Sequence, residues 1–173
     1  MDPDHEHRVR EALEILSPSD QRRFACDCAE QALAVFTRIR PGDMRPATAV
    51  SVARRFAAGG AHEDQLATAR SAAHRASRDA AAAREYGDMP DLEAATSAAA
   101  ACAEVCVGDP VEAAMGAARL QLECAEVEAV GARAADRAWK GGRPGPDDAH
   151  RLRDAAEAVR AWQIERLGAY PSH

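Results

Sequence analysis

The chain has 173 residues, a length that fits one domain able to bury a sizeable core without disulfides or a structural metal. Hydrophobic residues make up 47% of it but aromatics only 4%, so the apolar content is mostly alanine, and no segment alternates with period two as a half-buried strand would. A net charge of -6 speaks against a nucleic-acid surface, which needs concentrated Lys and Arg, and no apolar run approaches the roughly 20 residues that span a bilayer.

Alanine has the best helix propensity because it fixes no side-chain rotamer, so helices are expected throughout, packed by close backbone approach. The opening MDPDHEHRVR carries no apolar stretch after its charges, so neither signal peptide nor membrane anchor is expected and the chain reads as cytoplasmic. A first helix is predicted from about His5 to Leu16, with Val9, Leu13 and Leu16 on one face. Ser17-Pro18-Ser19-Asp20 then supplies a cap, a proline at the first helical position and a capping-box variant, opening a second helix that runs to about Ile39. Its stripe of Phe24, Cys28, Ala32, Val35, Phe36 and Ile39 covers roughly a third of the circumference.

Pro41 to Pro46 reads as a rigid turn, with Pro46 starting a third helix that stops at Gly59-Gly60. A fourth helix is predicted from His62 to Tyr86, closed by Gly87, with Leu66, Ala69, Ala73 and Ala76 inward. The fifth, from Pro90 to Cys106, is smooth on nearly every side and should be surrounded. Asp109-Pro110 restarts the chain into a long sixth helix reaching about Lys140. Residues 141–146 read as a linker, and the last helix runs on to Leu167 with a stripe of Leu152, Ala155, Val159 and Trp162. The predicted fold class is all-α: a compact alanine-rich multi-helix bundle of about seven helices forming one domain over 1–173.

The most distinctive stretch runs from Arg22 to Gly59: Arg-Arg-Phe-Ala-Cys-Asp-Cys-Ala-Glu, then Leu33 and Phe36, then Pro41-Gly-Asp-Met-Arg-Pro, then Ala49-Val50, Arg54 and Phe56. It resembles a family of bacterial immunity proteins of polymorphic toxin systems, the immunity protein five type. That family is similar in carrying a Cys-Ala-Glu helix, a Pro-x-Asp-x-Arg-Pro turn and a following helix with an Arg and an aromatic residue before a Gly. The likeness covers the first half of the chain and extends weakly through Ala72-Ala73-His74. Met44 stands where an acidic residue is common, Ala47 where a basic one is, and Phe56 where Trp is expected. The resemblance implies an α-helical binder that protects its host by engaging a toxic partner, with no known catalytic residues.

The candidate ligand-binding residues are Glu30, Asp43, Arg45 and His74. Glu30 lies opposite the Phe24/Cys28 stripe, and Arg45, held by Pro46 after the Asp43 turn, is the cation nearest in sequence. A structural Glu30–Arg45 ion pair is expected, with a ligand-facing pair as the functional alternative. His74 sits within the fourth helix, where an interhelical hydrogen bond is expected before a role as base.

Five cysteines read as reduced, small apolar core residues, although Cys102 and Cys106 share a face and Cys124 on the next helix could join them around a soft metal. There is no Gly-rich phosphate loop, His-Glu-x-x-His, nucleophile elbow or Glu-x-x-His pair, so no cofactor and no metal are predicted. Beside the toxin-neutralising binder stand a small-molecule protein that sequesters a toxic metabolite between its helices and an enzyme acting on such a metabolite; a cleft enclosing Glu30, Arg45 and His74 would favour either. Trp162, one of two tryptophans, either anchors a homodimer through the last helix or closes the monomer's core.

Overall fold

The computed structural model of the chain describes residues 2–85, 91–139 and 145–171. Among these residues it forms seven helices and no strand: α1 (Pro3–Glu14), α2 (Pro18–Ile39), α3 (Arg45–Ala57), α4 (Glu63–Glu85), α5 (Asp91–Glu104), α6 (Pro110–Trp139) and α7 (Pro146–Gly168). The all-α bundle is as expected. The predicted closure at Tyr86-Gly87, the start at Pro90 and positions 140–144 lie outside the described residues.

The helix ends follow local chemistry. Ser17 caps α2 by accepting from the Asp20 amide, with Pro18 at the first helical position. Asp109 accepts from the Glu112 amide at the start of α6. α3 ends in a Schellman arrangement, the Gly60 amide donating to the Arg55 carbonyl and the Gly59 amide to Phe56, with Gly59 at φ 76 where a side chain would be strained.

α2 lies inside the bundle, packed against α3, α5 and α6 and touching α7, while α5 is enclosed by α2, α3, α4 and α6. Phe24, Cys28, Ala32, Val35 and Phe36 are buried as the stripe of α2 predicts, and Leu66, Ala69, Ala73 and Ala76 of α4 point inward. Ala25, Cys26, Asp27 and Ala29 are buried as well, so this stretch of α2 is covered on nearly every side. Because each buried methyl contributes only about 0.8 kcal/mol, the bundle gains by close approach. Gly116 of α6 shows how close: an added Cβ would stand 2.9 Å from the Glu104 Oε2 and 3.3 Å from its Cβ on α5.

The last helix departs from expectation. Its buried positions are Asp148, Ala156, Gln163 and Leu167, one residue around from the predicted stripe; Leu152, Ala155, Val159 and Trp162 are only partly buried. The reason is polar. Gln163 is fully buried, its Nε2 donating to the Ala118 carbonyl at 3.0 Å and to the Gln121 Oε1 at 2.9 Å, while its Oε1 pairs with His5 Nε2 at 2.7 Å. One amide thus joins α1, α6 and α7, and rotates α7 until it is satisfied. Trp162 packs against the core of its own chain and is half-buried there.

Replacing Gln163 by Leu strands His5, Gln121 and the Ala118 carbonyl. Each orphaned buried group costs on the order of 1–3 kcal/mol, so the expected loss is about 2–4 kcal/mol after the added apolar contact. Thermal unfolding followed by circular dichroism checks it, and an unchanged midpoint would show that the amide is dispensable.

Candidate functional site

α2 and α3 meet in antiparallel order, Ser19 donating to the Ala57 carbonyl, Cys26 lying against Val50 and Asp27 against Arg54. This order corrects the predicted Glu30–Arg45 pair. Glu30 stands ten residues before Arg40 at the end of α2, about 15 Å along the axis, so a residue at the turn cannot face it. Its partner comes from equally far down α3: Arg54 donates from Nε and Nη2 to the two Glu30 oxygens, both at 2.7 Å.

The same guanidinium donates from Nη2 to Asp27 Oδ1 at 2.6 Å. The other Asp27 oxygen accepts from Arg166 Nε and the Tyr170 hydroxyl at the end of α7. Asp27 is therefore a buried carboxylate that joins α2, α3 and the C-terminal helix. Burial pushes its pKa up, but the hydrogen bonds from Tyr170, Arg166 and Arg54 outweigh it and hold the carboxyl below its ordinary value. Glu30 keeps an exposed side chain at the rim of this network.

Arg45 belongs to a second, separate cluster. Its Nε and Nη2 donate to Asp43 at 2.8 and 2.6 Å, and Nη2 reaches Asp79 of α4 at 2.7 Å. Asp43 also accepts from the Arg45 amide, closing the turn on itself. These hydrogen bonds lower the Asp43 pKa and raise that of Arg45. Met44 between them is 63% exposed, an apolar side chain on the tip of a charged turn.

His74 is half-buried and has no hydrogen-bond partner among the described residues, contrary to the expected interhelical bond. Its charged neighbours on α4, Arg70 and Arg78, cannot accept. Burial, followed by Arg70 and Arg78 against an opposing Glu104, lowers its pKa, so the imidazole is neutral at neutral pH. The structure brings Asp43 and Arg45 together and keeps Glu30 and His74 apart from them.

Two surface clefts, of about 280 and 450 Å³, lie elsewhere and are lined by none of Glu30, Asp43, Arg45 and His74. The thiols offer no poised nucleophile: burial pushes Cys26 up to about 12 and Cys106 to about 11. Cys102, Cys106 and Cys124 each direct their sulfur to a different carbonyl, those of Ala29, Ala49 and Ala94, rather than to a common centre. Among the described residues no group of three His, Cys, Asp or Glu side chains could hold a metal ion.

Sequence reasoning missed Asp27, Arg166 and Tyr170. Asp27 did leave a signal, as the lone charge inside Phe24-Ala25-Cys26-Asp27-Cys28-Ala29, a run too broadly apolar for one face of a surface helix. Nothing local marks Arg166 and Tyr170, which reach it from the far end of the chain. Comparison with protein-family models, with curated proteins and with solved structures finds no match.

The depressed pKa of Asp27 fixes the sign of a pH effect. The stability it contributes is complete above the ordinary carboxylate pKa of about 4 and is lost as the pH falls through the lower folded value. Asp27→Asn should cost about 1–3 kcal/mol at pH 7, toward the lower end because Arg54 keeps Glu30 and Arg166 can turn to water. The difference from the parent should shrink below about pH 4. Thermal melts across that range check both, and a difference that does not vary with pH would remove Asp27 from the acid response.

Proposed function

We propose that this is a cytoplasmic immunity-type binding protein that protects its host by engaging a toxic protein and covering its active region. The observation that carries the reading is the placement of the candidate residues: Glu30 stands exposed at the rim of one ion-paired network on α2 and α3, and Asp43 and Arg45, partly buried, form another at the turn between them, all outside the two clefts. Such a face suits a macromolecular partner, whereas a sequestered metabolite needs enclosure. Met44 adds an exposed apolar side chain of a type enriched in interface cores. The segment that carries the family resemblance, Arg22 to Gly59, is the one that builds this face.

The paired charges are held by short, bidentate hydrogen bonds from Arg45 and Arg54, so little ordering is required on association. The excess negative charge of the chain draws it toward a basic partner and raises the rate of encounter more than the affinity. No helix among the described residues is long and apolar enough to cross a membrane. A homodimer belongs to the proposal as well, with the last helix and its half-buried Trp162 as the candidate interface.

Affinity capture from the native host, followed by expression of the captured protein alone and together with this chain, tests the reading. The expected result is a protein that arrests growth alone and is tolerated in the presence of this chain. Met44→Asp, which removes the apolar tip and places a carboxylate where the dipole of α3 favours it, should weaken the complex at least tenfold without lowering the melting temperature. A small molecule as the stoichiometric co-purifying species, or a captured protein whose toxicity is unaffected, would overturn it.

A further inference from the structure

We propose that the end of the C-terminal helix is an autoinhibitory lid: Arg166 and Tyr170 occupy one oxygen of Asp27 in the way a basic partner's arginine would, and the partner docks by taking their place. The inference rests on the α2–α3 face being the one a protein engages, and it names the group by which that protein is recognised.

The two oxygens of Asp27 are held differently. Oδ1 accepts from Arg54, a residue within α3 that Glu30 also clamps. Oδ2 accepts from Arg166, in the last turn of α7, and from Tyr170, two residues past the helix end at Gly168. The Arg166 guanidinium lies over the Tyr170 ring at 5.2 Å, so the two form one stacked cap. Beyond the helix the backbone is carried by two bonds of the i to i−3 kind, both 3.2 Å long, from Ala169 to Arg166 and from Tyr170 to Leu167. Gly168, Ala169 and Pro171 are exposed, and Tyr170 is half-buried. The helix itself is anchored elsewhere, by the buried Gln163 and Leu167. Lifting the cap therefore needs rotation of one exposed arginine and a shift of residues 169–171, with α7 left in place.

Within this network two carboxylates, Asp27 and Glu30, face two guanidiniums, Arg54 and Arg166, so the closed cluster is neutral. With Arg166 turned away it carries one net negative charge, beside a carboxylate that is 8% exposed and poorly solvated. An incoming guanidinium restores both the charge and the N–H donors, whereas a lysine ammonium lacks the fork. Arg166 is 43% exposed and Glu30 46%, so the group to be displaced and the rim carboxylate both stand at the surface. Each Glu30 oxygen accepts one bond from Arg54 and has a further lone pair for a second basic side chain. The lid also sets a threshold. A single cation gains at Asp27 what Arg166 gives up, so a net gain needs further contacts on α2 and α3.

The probe is acetyl-Arg-Gly-Arg amide, set beside the same peptide with citrulline for arginine, titrated into the full chain and followed by NMR. Arg166→Gln combined with Tyr170→Phe, which opens the lid, should bind the arginine peptide at least fivefold more tightly than the parent and ignore the citrulline one. Adding Asp27→Asn should remove the gain. Should a multiple variant fail to fold, Tyr170→Phe alone, which keeps the ring, and movement of the Arg54 Nε–H resonance decide. Equal binding by parent and open variant, a gain that survives Asp27→Asn, or no binding to the open variant at millimolar concentration overturns the lid. None of these outcomes depends on a toxin being captured, so failure of the lid and failure of the toxin-neutralising reading are read separately.

Discussion

The guanidinium of Arg22 is the contact around which the bundle is arranged. It is 3% exposed, and it donates to the carbonyls of Val105, Val107 and Gly108, which follow the last turn of α5 and would otherwise lack partners inside the protein. Phe56 of α3 lies beneath the same group at 5.1 Å. Burial lowers the pKa of Arg22, but an arginine remains charged, so the group must keep all three acceptors. A helix whose charge is committed in this way cannot slide or rotate, and α2 thereby fixes α3, α5 and the start of α6 relative to itself.

Alanine makes such devices necessary. Smooth helices with small side chains pack in many nearly equivalent registers, because one alanine in a neighbour's groove differs little from the next. Leu13, Phe24, Phe36 and Val105 supply a few distinctive shapes, but the selection among registers falls to buried polar groups: Arg22 at one end of α2, Asp27 a turn and a half later, and Gln163 across from them on α7. α7 is the clearest case. Its apolar face is poorly defined, and it is held by an amide shared with α1 and α6 and by two hydrogen bonds to Asp27.

The division between what was readable in the sequence and what was not follows the same line. Caps and breaks are local, so Ser17-Pro18, Gly59-Gly60 and Asp109-Pro110 placed the helices well, and periodicity placed the inward residues of α2 and α4. Charge pairing is not local. Arg45 is near Glu30 in the chain, but the antiparallel course of α2 and α3 puts Arg54 opposite it, and only the three-dimensional order reveals that. Gln163 was passed over because a glutamine on a polar helix resembles a surface residue, and His5 because it sits at a chain end, yet the two are buried against one another.

All five cysteines are unpaired and enclosed, two on α2, one within α5, one just beyond it and one on α6. A thiol reacts as its thiolate, and burial both hinders the reagent and raises the energy of that anion. Alkylation or oxidation at Cys26, Cys28, Cys102 and Cys124 therefore waits for the surrounding helices to part, so its rate measures how often that part opens, whereas Cys106 lines an open cleft. The sulfurs are spaced along the interior so that one mass-resolved labelling time course distinguishes parting of α2 from α3 at Cys26 from separation of α5 and α6 at Cys124. The chain carries within its own core a set of clocks for its local unfolding.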